Sequence, residues 1–182
     1  MKGLLAQQPR PAWLVFSPVK DLWDRAALVA RALEEKGLTL AIAESFTGGW
    51  ISAALTSIPG VSNYFMAGLV TYSNQSKMEV LGLSQETLLE HGAVSAQCAQ
   101  EMALGALRAG QSNLGLATTG VAGPGGGSPQ KPVGLVYLGL SNGPILIHKK
   151  LILEGHRLEI TLRAALQALD FLYENLSFLA DP

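Results

Sequence analysis

Three features of this sequence carry residue types that could do chemistry: a serine in a glycine turn, a lysine ending a charge-free stretch, and a long glycine loop. Ser45 stands in the run Glu44-Ser45-Phe46-Thr47-Gly48-Gly49, after the apolar segment Leu38–Ala43 and before Trp50–Thr56. A hydroxyl between a strand and a helix can sit at the helix N-terminus, where the following amides can form an oxyanion hole. The same position suits a plain N-cap, a common use of serine. Lys77 can act on such a serine as a base, because a lysine in a dry pocket loses proton affinity. Taken alone it also reads as a solvated lysine on a helix Asn74–Leu81.

The third feature follows Thr119: Gly120-Val121-Ala122-Gly123-Pro124-Gly125-Gly126-Gly127. It is neither a Walker motif nor a dinucleotide fingerprint. Flexible glycines let backbone approach a ligand closely, and their amides favour phosphate; a surface loop has the same composition. Lys131 and Arg157 can neutralise such a phosphate, or simply be surface charges. His91 precedes Gly92 at an expected helix end, and His148 lies beside Lys149 and Lys150. Cys98 falls on an apolar helix face. No metal site is expected from one cysteine and three scattered histidines.

The charge distribution ties these features together. Between Glu44 and Lys77 there is no Asp, Glu, Lys or Arg, and between Arg108 and Lys149 the only one is Lys131. Both stretches are rich in Gly, Ser, Thr and Asn, which suits buried loops around a pocket. The charges bordering that pocket are the candidates for function.

The elements that must position them follow from periodicity. Ser17 and Pro18 open a helix whose apolar residues run from Leu22 to Leu33, and Gly37 closes it. Leu38–Ala43 reads as a strand, Trp50–Thr56 as a helix, Met66–Tyr72 as a strand and Asn74–Leu81 as a helix. A short helix follows at Ser84–Glu90, another is capped by Ser95, and Leu114–Thr119 is a strand. Asn142-Gly143 marks a two-residue hairpin between Val133–Leu140 and Ile145–Leu153. A last helix covers about Arg157–Leu176. This alternation predicts an α/β fold: a three-layer α/β/α sandwich with a mixed, mostly parallel sheet and one antiparallel hairpin strand. In such sheets ligands bind at the carboxyl ends of the strands, so the turns after Ala43, Tyr72 and Thr119 should meet on one edge.

Composition narrows the class further. The 182 residues suit one domain, read as 21–178, preceded by an arm over 1–20. With 13 basic and 14 acidic residues and a net charge of −1, no nucleic-acid binding is expected. Mean hydropathy is +0.27, yet polar residues interrupt every apolar run before it reaches spanning length, so no membrane partner is expected. Ala12–Phe16 is too short for a secretion signal. One cysteine excludes an internal disulfide framework and fits a reducing, cytoplasmic location.

Ala43-Glu44-Ser45-Phe46-Thr47-Gly48-Gly49 resembles the Ala-Glu-Ser-Cys-Thr-Gly-Gly signature of the nicotinamide-nucleotide amidase family, which includes the C-terminal domain of CinA competence-damage proteins. Further matches follow in order: Val70-Thr71-Tyr72-Ser73-Asn74 with Lys77, His91-Gly92-Ala93-Val94-Ser95, Thr119 through Gly126, and Lys131-Pro132-Val133-Gly134. The resemblance covers about 22–171. It implies hydrolysis of nicotinamide mononucleotide to nicotinic acid mononucleotide and ammonia, in pyridine-nucleotide salvage, without metal or cofactor. Carried onto this chain, Ser45 is the nucleophile, Lys77 its base and Tyr72 a member of their network. Thr47, Gly48 and Gly49 supply the oxyanion and substrate site, with Thr119, Gly120, Gly123, Gly125, Lys131 and Arg157 also binding substrate, Arg157 at its phosphate.

Three positions depart from the family pattern. Phe46 replaces a cysteine and His156 an aspartate, and Thr161 stands where an arginine is common, with Arg163 nearby as a substitute. The chain resembles the stand-alone form, without the molybdopterin-binding-like domain. A homodimer is expected, since two-fold dimers are the commonest assemblies. Two other readings are a catalytically degenerate nucleotide-binding homologue and an interaction protein in competence or DNA repair.

Overall fold

Three segments alternate large and small residues with a period of two: Leu40-Ala41-Ile42-Ala43, Leu114-Gly115-Leu116-Ala117 and Leu138-Gly139-Leu140-Ser141. As strands, such segments present two unequal faces. The computed structural model, which describes residues 17–180, forms them into β1 (Leu40–Glu44), β3 (Leu114–Gly120) and β4 (Leu135–Ser141). With β2 (Phe65–Val70) and β5 (Leu146–Ile152) they make one sheet in the order β2-β1-β3-β4-β5. β1 pairs parallel with β2 and β3, and β4 pairs antiparallel with β3 and β5. Four strands therefore run one way and β4 alone runs the other, as the expected fold class requires.

The large face is covered by α1 (Ser17–Lys36), α2 (Trp50–Thr56) and α6 (Arg157–Ala180). There Leu40, Ile42, Leu116 and Leu138 join Leu22, Val29, Leu55 and Leu169 in the main core. The small face receives α5 (Ala96–Gly110), with α3 (Asn74–Leu81) and α4 (Gln85–Glu90) beside it. Ala41, Ala43 and Ala117 pack there against Cys98, Met102 and Leu81. Small residues are a steric requirement on this side. A Cβ at Gly139 would lie 2.0 Å from the Ala99 carbonyl, and one at Gly115 would lie 1.9 Å from that of Ala103.

Serines start the helices of this face. Ser73, Ser84 and Ser95 accept from the amides of Ser76, Thr87 and Cys98, which fixes the entry of α3, α4 and α5. Helices α2 and α3 have the bounds expected from the sequence. β1 starts two residues late because Leu38 belongs to the exit of α1: its amide donates to the Leu33 carbonyl at 3.0 Å, and Gly37 takes φ 62°. The hairpin turn is also displaced. Asn142 donates to the Ile145 carbonyl at 3.3 Å, so Gly143-Pro144 is the central pair. Pro144 has no N–H, and the Asn142 Oδ1 accepts from the Ile145 amide at 2.9 Å. α6 runs on to Ala180. Of the arm expected over 1–20, Ser17–Lys20 forms the first turn of α1, and 1–16 lies outside the described residues. Among the described residues no helix is long and apolar enough to cross a membrane.

The close approach of α5 is directly testable. Gly139→Ala should lower the unfolding free energy by about 1–3 kcal/mol through overpacking. Gly125→Ala, whose Cβ meets nothing within 4 Å, should change it by less than about 0.5 kcal/mol. Urea unfolding of both variants checks the pair.

Candidate active site

The carboxyl ends of β1, β2 and β3 meet at one edge of the sheet, and Lys77 lies beneath it. It sits one turn into α3 with only 1% of its surface exposed. β2 is an edge strand that ends at Val70, so the carbonyls of the next two residues leave the ladder. Lys77 Nζ donates to both, at 2.8 Å to Thr71 and 3.1 Å to Tyr72. Its third contact is the Ser45 Oγ at 3.1 Å. Among the described residues no carboxylate lies within ion-pair distance of it. Burial pushes the Lys77 pKa below the ordinary lysine value of 10.5, and the neighbouring Cys98 opposes that only in part.

These contacts define what the amine can do. Once neutral, it keeps two N–H groups for the two carbonyls and turns its lone pair to the third direction, the Ser45 hydroxyl. A hydroxyl and an amine within hydrogen-bond reach are the arrangement that nucleophile–base chemistry uses.

Strand parity separates Ser45 from Glu44. Ser45 shares the small face with Ala43, while Glu44 points to the large face and meets α2. Its carboxylate accepts from the amides of Gly49, Ile51 and Ser52 at 3.0, 3.2 and 2.9 Å, and from the Ser52 Oγ at 2.7 Å. Gly48 and Gly49 take φ 63° and 104°, which folds the turn back over this carboxylate. The start of α2 is therefore occupied by an internal anion. The Gly49 amide, expected to face a ligand, is held by Glu44, and the Gly48 amide donates to the Ser45 carbonyl at 3.1 Å. The amides of Phe46 and Thr47 donate to no group among the described residues. The Thr47 hydroxyl is tied to that of Thr118 at 2.7 Å.

Beside this turn opens a cleft of about 400 Å³, lined by Phe46, Thr47, Gly48, Trp50, Tyr72, Arg157, Leu158 and Thr161. Arg157, the first residue of α6, donates to the Gly123 carbonyl at 2.7 Å and to the Tyr72 hydroxyl at 2.9 Å. Tyr72, 61% exposed, thus offers its carbonyl to Lys77 and its phenol to Arg157. Phe46 fits because residue 120 is glycine: a Cβ there would lie 2.9 Å from its ring. Thr161 donates to the Arg157 carbonyl at 2.8 Å, whereas Arg163 donates to the Glu154 carbonyl at 3.0 Å and is not among the residues lining the cleft.

The remaining candidates are placed outside the cleft. Thr119 is the neighbour of Ser45 on the small face, but its hydroxyl donates to the Ala93 carbonyl at 2.6 Å. Lys131 donates to the His91 carbonyl at 2.6 Å, so both residues fasten the loop before α5. Gly123 is pressed against Val133, and Gly125 is exposed with open space around it. Cys98 is buried, and burial pushes its thiol up to about 11, as suits a core residue. Among the described residues no group of three or more His, Cys, Asp or Glu could hold a metal ion. Sequence reasoning missed Glu44 and Thr71. Glu44 did border the charge-free stretch, which was a usable signal.

Comparison with known proteins gives consistent results. Residues 24–176 match the family model described as CinA C-terminal domain. A CinA-like protein of Dictyoglomus thermophilum is 48% identical over 149 residues, covering 82% of this chain and 36% of that protein. The chain spans about a third of the length of the curated relatives it matches. Among solved structures, the competence/damage inducible protein CihA of Agrobacterium tumefaciens is 42% identical with a TM-score of 0.81, covering 85% of this chain and 94% of that one. The competence damage-inducible protein ComA of Klebsiella pneumoniae is 35% identical with a TM-score of 0.83, covering 86% and 97%. The chain belongs to the CinA C-terminal domain family.

The role of Glu44 yields a prediction. Glu44→Gln places an N–H group against amides that need an acceptor. It should lower the unfolding free energy by about 2 kcal/mol, measured by chemical denaturation.

Proposed function

We propose that this member of the CinA C-terminal domain family is a serine amidase that hydrolyses nicotinamide mononucleotide to nicotinic acid mononucleotide and ammonia, serving pyridine-nucleotide salvage. The observation that carries the reaction type is the 3.1 Å contact between Ser45 and a buried lysine with no carboxylate partner among the described residues. The substrate is carried by the motif resemblance, and an aromatic cleft with Arg157 at its rim suits a ring and an anionic phosphate.

The chemistry follows the two-step logic of covalent catalysis. Ser45 Oγ attacks the carboxamide carbon as its proton passes to Lys77. The oxyanion is met by the amides of Phe46 and Thr47, which donate to no group among the described residues. Collapse breaks the C–N bond, Lys77 returns the proton to nitrogen, and ammonia leaves an ester on Ser45. Water, deprotonated by Lys77, opens the ester to release the carboxylic acid and restore the serine. Arg157 binds the phosphate, and Tyr72 holds Arg157 and Lys77 in register.

A second reading has its own observation. Ser45 is 8% exposed and Phe46 packs beside it where the family pattern has a smaller cysteine. A homologue that binds the nucleotide without turning it over would have that restricted access.

Ammonia release from nicotinamide mononucleotide without added metal separates the two. Turnover is expected, with kcat/KM falling at least about 10³-fold in both Ser45→Ala and Lys77→Ala. The base must be neutral, so kcat/KM should rise with pH and level off above a pKa lower than 10.5. Nucleotide binding without ammonia would select the second reading.

A further inference from the structure

One buried hydroxyl beside the serine–lysine pair has no work in the free protein. The Thr71 Oγ1 finds no hydrogen-bond partner among the described residues, although the residue is only 2% exposed. Buried hydroxyls are normally paired, because an unpaired one forfeits its interactions with water. Backbone position fixes where it lies. The Thr71 amide donates to the Glu44 carbonyl at 2.9 Å, and its own carbonyl accepts from Lys77 Nζ at 2.8 Å. Along β2 the side chains alternate: Leu69 packs on the small face and Val70 lies toward Gly49 on the other. Thr71 then falls on the side of Ser45, and Tyr72 falls on the side of the cleft that it lines.

On the small face three hydroxyl residues therefore stand side by side at adjacent strand ends: Thr71, Ser45 and Thr119. Register supports this row, since Glu44 pairs with Val70 on one side and Thr118 on the other. Ser45 is held by Lys77, and Thr119 is committed to the Ala93 carbonyl. Thr71 alone is left with an open donor and acceptor, on the lysine side of the serine.

We propose that Thr71 Oγ1 is a specificity-determining contact for the nitrogen of the substrate's carboxamide. This rests on the amidase reading. During attack, the nitrogen must face Lys77, which returns a proton to it, while the oxygen faces the Phe46 and Thr47 amides. Thr71, whose carbonyl holds Lys77, offers its hydroxyl as an acceptor for an N–H of that nitrogen, and a carboxylate oxygen in the same place has no N–H to offer. Thr71 thus favours amide over acid, and its missing partner is supplied by the substrate.

Thr71→Val keeps the shape and removes the hydroxyl, and Thr71→Ser keeps the hydroxyl. Thr71→Val should melt no lower than the unmodified protein, because no bond is lost. Its kcat/KM for ammonia release should fall about tenfold, with Thr71→Ser near the unmodified value. The thermal upshift given by nicotinamide mononucleotide should shrink in Thr71→Val, while that given by nicotinic acid mononucleotide should not. This binding arm needs no turnover, so an unmodified protein that binds but releases no ammonia defeats the amidase reading and still decides the role of Thr71. A Thr71→Val protein that melts several degrees lower, or one whose upshifts and turnover match the unmodified protein, overturns the proposal. So does the absence of an upshift with either nucleotide.

Discussion

A lysine amine removed from water with no carboxylate beside it among the described residues is the constraint on which the site depends. Taking an ammonium out of water is costly, and a protein normally offsets that with a paired charge or by letting the group lose its proton. Here Lys77 is 1% exposed and its partners are two carbonyls and a hydroxyl. Those partners stabilise the nitrogen in either state without restoring a full proton affinity. The balance leaves an amine whose pKa lies below 10.5 and whose remaining direction is Ser45.

The fold supplies this arrangement through strand parity and close packing. Small residues on one face of β1, β3 and β4 let α5 approach the sheet, and α3 closes over the edge beside it. Ser73 starts α3 at the point that brings Lys77 under the end of β1. One residue earlier on β1, the opposite parity sends Glu44 to the start of α2, where it fixes the turn that holds Ser45. A single strand end thus separates the Glu44 carboxylate from the buried Lys77 amine. Mixing the two would give Lys77 an ion pair and raise its proton affinity.

Much of this was legible in the sequence, and the rest was not, for physical reasons. The charge-free stretch between Glu44 and Lys77 marked both borders of the site, and Ser95 announced its helix by local hydrogen bonding. The exit of α1 at Leu38 and the turn at Gly143-Pro144 depend on single backbone bonds that periodicity cannot register. The partners of Lys131 and Thr119 are carbonyls of a distant loop, invisible to spacing. The glycine turn at Gly48-Gly49 suggested an open anion site because the competing carboxylate of Glu44 comes from the preceding strand. Thr71 stood inside the Val70–Asn74 match, but its residue type did not set it apart, since what distinguishes it is a side chain with no hydrogen-bond partner among the described residues.

The protonation of Lys77 tests the account most directly. With 13C-labelled lysine, the ε-carbon resonance of Lys77 is assigned by its loss in Lys77→Met and followed with pH. A midpoint below the ordinary lysine value of 10.5 is expected, with the Ser45→Ala protein retaining most of the displacement because burial causes it. A Lys77 resonance that titrates together with the surface lysines would contradict the account, since a permanently charged amine at neutral pH cannot take the serine's proton.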